Sequence, residues 1–561
     1  MIQKKKVDCV IVGLGAAGGI ASHVLTQAGI DVVGIEAGPH FGVGEYAKEF
    51  DEIGSGAIRN YLGAFKFNQE LPTWRPDAKS ANQPVGDFAP MVNGVGGSSV
   101  HYTAQSWRYA PENFRVRSNT IERYGKSALP EGSAVVDWPF TYDDLEPYYD
   151  KVEYLLGVGG KAGANPFEGR RSRPYPTPPL RLQGYGELAA GVMKNLGYHP
   201  FPQPCAVLSE VYNDRPACTY CGFCTFNPCW NNSKSSTLVT AIAEAQKTGH
   251  MEIRANSRVL NVVSDKGGNV SGVEYVDAAG RLTFQPAGFV IVSSYIYENN
   301  RLLLLSKGPT FPNGLANNHG QVGQYYLSHS YESVNGLFEG KALNLWSGAG
   351  PQNITMDDFN ADNYDHSGLG FIQGSNVAAG GPNLPIGQSG SLAPGVPGWG
   401  SSYKKWLHAN SNSIGSVTAQ TETLPYYHNF VDLDPTVKDP LGVPVLRVTY
   451  SWGQNEYKAG NFIIEKMTKI IKEMGATQTW VGLPPLPIVL NSHAYGGTRM
   501  GVDASMSVVD QYSVAHEVRN LAVMGGSTFC NTTGYNPTET IEAIAWRSAE
   551  YIAQNFNTLA V

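Results

Sequence analysis

Four cysteines fall within twelve residues, Cys218, Cys221, Cys224 and Cys229 in the stretch CTYCGFCTFNPC. The spacing C-x2-C-x2-C-x4-C is tighter than a zinc ribbon, whose paired cysteines flank a long insert, and it lacks the histidines of a zinc finger. Short spacings of this kind suit iron–sulfur ligation, three thiolates for a [3Fe-4S] cluster and four for a [4Fe-4S] cluster. Disulfide pairs, zinc and free thiols are the competing readings. The other cysteines, Cys9, Cys205 and Cys530, are scattered, and the odd total of seven argues against a secreted disulfide framework.

A second constellation stands near the start, Gly13-x-Gly15-x-x-Gly18 followed by Glu36. Gly13 permits a tight turn, Gly15 lets the backbone approach a pyrophosphate, and Gly18 lets a helix pack closely on a strand. Glu36 would accept hydrogen bonds from adenosine ribose hydroxyls, which disfavours NADP and leaves NAD and FAD open. A third stretch, Asn93 to Tyr109 (NGVGGSSVHYTAQSWRY), carries Gly96, Gly97 and Ser98, whose amides could approach a second part of a flat cofactor. His101 lies just beyond.

Elements must place these groups. VDCVIVG reads as a strand, GAAGGIASHVLTQAGI as a helix closed by Gly29, and DVVGIEAG as a second strand, together a βαβ opening. HMEIRANSRVLNVVSDKGGNVSGVEYV alternates like antiparallel strands, and GFVIVSSYIYENNRLLLLS reads as a buried strand feeding a helix, so the cofactor domain resumes after an insertion. The Gly-, Pro-, Asn- and Ser-rich stretch from Ser347 to Gly400 has no helical period and reads as one long functional loop. QNEYKAGNFIIEKMTKIIKEMG reads as a helix. The expected fold is α/β (α+β overall), a Rossmann-like FAD-binding domain with a discontinuous substrate-binding domain built on an antiparallel sheet. Residues 1–140, 230–310 and 485–561 form the cofactor domain, 141–229 a linker or cap with the cysteine cluster, and 311–484 the substrate domain.

Composition narrows the function classes. The chain has 561 residues, enough for two domains and a large buried ligand, and its charged fraction of 16% is low. A net charge of -7, with no basic block beyond Lys4 to Lys6, argues against nucleic acid. The apolar stretch near the N-terminus turns glycine-rich too soon for a secretory signal, and no apolar run is long enough to span a membrane.

The C-terminal stretches NSHAYGGTRMG and VRNLAVMGGSTFCNTTGYNPTETIEAIAWRSAEYIAQN, taken with the βαβ opening, resemble the glucose-methanol-choline (GMC) oxidoreductase family. WPFTYDDLEPYYDKVEYLLGVGG, YIYENNRLLLLS and CTYCGFC are similar to the large FAD subunits of bacterial sugar and sugar-acid dehydrogenases. The resemblance implies FAD as cofactor. It places His493 and Asn536 together against the flavin ring, His493 as the base for the substrate hydroxyl and Asn536 holding the same oxygen. It also brings Gly526, in GGS where many members have an Asp-containing DAS, to the cofactor.

The resemblance implies further that His101 either carries a covalent bond to the flavin or lines the cofactor without one. It favours a [3Fe-4S] cluster on the cysteines that passes electrons to a cytochrome c-type acceptor. A small partner subunit would carry the export signal, and the location would be periplasmic, with a cytoplasmic location as the alternative. The substrate would be a sugar, glycoside or sugar acid. The rival readings are a pyranose oxidase-like enzyme that uses oxygen and keeps the cysteines structural, and a non-catalytic flavoprotein or zinc-stabilised subunit.

Overall fold

Strand Val7–Val12 has its last four residues buried, as a strand covered on both faces requires. It pairs in parallel with Val32–Ile35 on one side and with the second half of Leu282–Val292 on the other. In this computed structural model the described residues are 1–41, 52, 72–84, 92–224, 227–489 and 491–561. Among them the first sheet runs Val514–Ala515, Val518–Val523, Leu282–Val292, Val7–Val12, Val32–Ile35 and Met251–Arg254. The five strands from Val518–Val523 to Met251–Arg254 are mutually parallel. The first half of Leu282–Val292 leaves this layer and pairs antiparallel with Val270–Val276, which pairs with Arg258–Ser264.

Helix Ala16–Gln27 and the last long helix, Thr538–Gln554, cover one face of the parallel sheet. Ile20, Val24 and Leu25 of the first meet Ala545, Ala549 and Ile552 of the second in one buried cluster with Cys9 and Ile11. The first helix thus has its N-terminus at the edge from which a dinucleotide would be held.

The other two sheets lie outside this unit. One runs Ala494–Gly497, Gln324–Ser328, Phe430–Lys438, Pro444–Thr449, Thr73–Arg75 and Gln83–Pro84. The other runs Gln478–Leu483, Ser330–Leu337, Ile414–Thr421, Ser375–Gly380, Asn353–Met356 and Phe201–Pro202, antiparallel throughout. Helix Gln454–Glu473 packs Ile463, Met467, Ile470 and Ile471 against Val334, Val377 and Val417 of that sheet, and the chain turns away at Gly475 with φ +93°. The chain passes from Gln324–Ser328 directly into Ser330–Leu337, so His329 sits where one sheet hands over to the next.

The stretch from Ser347 to Gly400 is not one loop. It contributes Asn353–Met356 and Ser375–Gly380 to the antiparallel sheet. One has only four residues, NITM, and the other, SNVAAG, is mostly small, so neither carries an alternation long enough to identify a strand from sequence, and tertiary pairing decides their conformation. Among the described residues no helix is long and apolar enough to cross a membrane.

Candidate active site

The glycines of the fingerprint are required for different reasons. Gly13 has φ +88°, and a Cβ there would lie 2.8 Å from the Ser293 carbonyl oxygen. A Cβ on Gly18 would overlap the Gly13 carbonyl oxygen. At Gly15 neither reason holds: its φ is -81°, and among the described residues a Cβ would meet nothing nearer than Gly97 Cα at 3.9 Å. Space is thus left beside Gly15 among the described residues. Helix Ala16–Gln27 begins immediately after it with no capping side chain and no acidic residue in its first turn, leaving N–H groups for an anion.

The second glycine stretch closes over the same place. Gly96 N–H donates to the Leu14 carbonyl at 2.8 Å, and Gly97, with φ +55°, could carry a Cβ only 2.8 Å from Gly15 Cα. Ser98 is exposed beside it. Glu36 is buried, its two carboxylate oxygens accepting from Leu14 N–H at 3.0 Å and Gly38 N–H at 2.9 Å. Burial pushes its pKa up against those amides. The Gly94 and Ala37 amides act on the same carboxylate. The residues thus fit a dinucleotide whose pyrophosphate lies at Gly15.

His493 and Asn536, 43 residues apart in sequence, meet with Asn536 Nδ2 at 3.1 Å from His493 Nε2. Asn536 Oδ1 accepts from Gln420 Nε2 at 2.8 Å. On the other edge of the ring, His493 Nδ1 lies 3.0 Å from His329 Nδ1 and 2.6 Å from Tyr331 Oη. Asn491 holds the backbone of this corner, accepting from His493 N–H at 3.0 Å and donating to the His329 carbonyl at 3.1 Å. Burial pushes the His493 pKa down to about 3, and burial with the neighbouring His493 holds His329 well below the ordinary histidine range. Both rings are neutral at working pH. Gly526 packs against the same strand, a Cβ there coming to 3.0 Å from the Ala494 carbonyl oxygen.

The sequence reading missed His329, Tyr331 and Gln420. A signal existed in SHSYES, where a histidine and a tyrosine alternate with serines at the head of a strand, but neither residue carries a motif. His101 follows the short 3-10 turn Gly97–Val100 and is buried, with its pKa pushed down to about 3 by burial and by the Lys234 ammonium.

That ammonium belongs to the cysteine loop. Lys234, 3% exposed, donates to the carbonyls of Tyr102 at 2.7 Å, Cys224 at 2.9 Å and Asn227 at 2.6 Å. All four cysteines of the cluster act on it electrostatically, and Cys205 lies close enough to Cys218 and Cys224 to feel both. The cysteine loop thus adjoins the His101 segment through one cation. All seven cysteines are free thiols, so the disulfide reading does not hold. The expected metal ligand set is not assembled either: among the described residues no three His, Cys, Asp or Glu side chains converge to hold a metal. Cys218 Sγ instead accepts from Tyr220 N–H at 3.3 Å, and Cys229 Sγ turns to Asn231 at 3.1 Å.

A dinucleotide cradle on a parallel sheet, with a neutral histidine and an asparagine amide 3.1 Å apart, suits an oxidoreductase that uses a dinucleotide cofactor. Comparison with known proteins makes that class specific. Two profiles, both described as GMC oxidoreductase, match residues 203–330 and 425–545. The gluconate 2-dehydrogenase flavoprotein of Pantoea cypripedii is 33% identical, over 99% of this chain and 94% of its own length. The fructose dehydrogenase large subunit of Gluconobacter japonicus is 27% identical over 97% of each chain. Among solved structures, formate oxidase superposes over 100% of each chain with a TM-score of 0.63 at 15% identity, a likeness of fold. The chain belongs to the GMC oxidoreductase family and is an FAD-dependent enzyme acting on CH–OH groups.

Proposed function

We propose that the enzyme is a dehydrogenase that oxidises a secondary alcohol of a sugar, glycoside or sugar acid to a ketone. The observation that carries this reading is the His493–Asn536 pair, with a basic nitrogen and an amide donor 3.1 Å apart. FAD, when bound, accepts the hydride from the alcohol carbon. His493 Nε2 takes the hydroxyl proton, and Asn536 Nδ2 donates to the same oxygen and orients it. The similarity to gluconate and fructose dehydrogenases supports the sugar or sugar-acid class. Anaerobic bleaching of the flavin by a panel of sugars, glycosides and aldonic acids tests it; bleaching only by simple alkanols would overturn it.

The finer parts of the proposal are separately testable. His101 would either carry a covalent bond to FAD or line the cofactor without one, and complete release of FAD on acid denaturation would exclude the bond. An iron–sulfur cluster draws its ligands from Cys218, Cys221, Cys224 and Cys229, three of them for the preferred [3Fe-4S] form and all four for a [4Fe-4S] form. Its support is their spacing and the buried Lys234 cation, which an anionic thiolate cluster would neutralise. Iron near three or four per chain supports the cluster. A small partner subunit carries the export signal and a cytochrome c-type subunit takes the electrons, on the periplasmic side; periplasmic localisation without a partner would contradict this arrangement.

The unassembled cysteine ligand set favours a second reading, a pyranose oxidase-like enzyme using oxygen. Peroxide formed as fast as dye is reduced would establish it.

A further inference from the structure

A histidine serves as a base only through the ring nitrogen that carries no proton, and a donor–acceptor chain fixes which nitrogen that is here. Tyr495 Oη lies 3.3 Å from His329 Nε2. His493 Nδ1 lies 3.0 Å from the other nitrogen of that ring, Nδ1. A proton on His493 Nδ1 faces an acceptor in Tyr331 Oη at 2.6 Å, whose own O–H turns to Asn491 Oδ1 at 3.4 Å. That leaves Nε2 as the lone pair.

The lone pair constrains the next two groups. Asn536 has to present its NH2 to His493 Nε2, so its carbonyl oxygen points away and needs a donor. Gln420 Nε2 supplies one at 2.8 Å. Turning the Gln420 amide around would set two carbonyl oxygens against each other, and the cheapest relief would be for Asn536 to turn as well and face its oxygen to Nε2.

We infer that Gln420 is a positioning residue of the alcohol oxidation: its N–H fixes the Asn536 amide and thereby selects the His493 tautomer with a basic Nε2. The inference rests on the reading of His493 as the base. Gln420 touches neither His493 nor the reacting atoms and acts only through Asn536.

Histidine-selective 15N labelling of the oxidised holoenzyme tests it without a substrate, with the His493 resonance assigned through His493→Ala. In the wild type Nε2 gives the signal of a bare ring nitrogen and Nδ1 that of an N–H. Gln420→Glu at pH 8 puts an acceptor where the donor was, and the tautomer ratio moves at least tenfold toward protonated Nε2. Gln420→Met, which has similar volume and no donor, makes the second tautomer measurable and serves if the Glu variant fails to fold. A wild type with its proton on Nε2 overturns the assignment of His493 as base. A bare Nε2 in the wild type, unchanged in the folded variants, overturns the role of Gln420 alone.

Discussion

Tyr331 and Gln420 are direct partners in the antiparallel register of strands Ser330–Leu337 and Ile414–Thr421, and each reaches a different member of the catalytic pair. Tyr331 Oη meets His493 Nδ1 at 2.6 Å, while Gln420 Nε2 meets Asn536 Oδ1 at 2.8 Å. His493 and Asn536 come from the C-terminal part of the chain, so the sheet beyond the cofactor unit clamps both from behind. Positioning by a sheet is more exact than positioning by loops, and the geometry at Nε2 follows from one cross-strand pair.

Replacing His493 by Ala removes the proton acceptor. Flavin reduction under anaerobic stopped-flow should fall by about 10²–10⁴, with FAD content and thermal midpoint unchanged. Asn536→Leu should cost less, on the order of 10-fold to 100-fold, because it removes orientation and leaves the base. Reduction by His493→Ala at wild-type rate would move the base elsewhere.

The depressed pKa of His493 sets the acid limb of the reaction. With the value pushed down to about 3, the ring stays neutral at every pH above it, so flavin reduction should show no loss between pH 7 and pH 5. The limb should appear only as pH falls toward 4. Stopped-flow rates across that range decide the point; a limb near 6.5 would mean that the ring is solvated during turnover.

Two fingerprint glycines should fail in opposite ways. Gly18→Ala drives a methyl into the Gly13 carbonyl, so the apoprotein itself should lose stability by several kcal/mol. Gly15→Ala brings the new Cβ no nearer than 3.9 Å to another described residue, so apoprotein stability should change by less than about 1 kcal/mol while FAD affinity collapses. Thermal melts with and without added FAD separate the two.

Sequence and structure agree where local rules act alone. The βαβ opening is legible because Gly13, Gly15, Gly18 and Glu36 occupy fixed offsets from an apolar strand, and the helix over Gln454–Glu473 because its apolar residues recur on one face. Asn353–Met356 and Ser375–Gly380 were hidden because pairing with a neighbour, and no intrinsic preference, makes them strands. Gln420 and His329 were hidden for a related reason. Their roles depend on which atoms of distant residues they touch, and an isolated Gln or His in a strand carries no record of that. Cys205 looked scattered at thirteen residues before Cys218, yet the fold sets it close to two members of the cluster.

Lys234 couples the cysteine loop to the cofactor side, and its removal should show this. Its ammonium gives hydrogen bonds to three carbonyls, of Tyr102, Cys224 and Asn227, at 2.6–2.9 Å. Lys234→Met keeps the length of the stem and takes all three donors away, leaving buried acceptors that cost about 1–3 kcal/mol each; the relieved desolvation of the cation offsets part of this. The loop should therefore loosen before the fold fails. Cys224, 7% exposed, should react with a thiol reagent at least tenfold faster than in the wild type, whereas Cys9 and Cys530, buried in other parts of the molecule, should not change. Cys9 and Cys530 serve as the internal control, because a general loss of stability would expose all three. Equal acceleration at the three sites would mean that Lys234 supports the whole fold and holds the loop only incidentally.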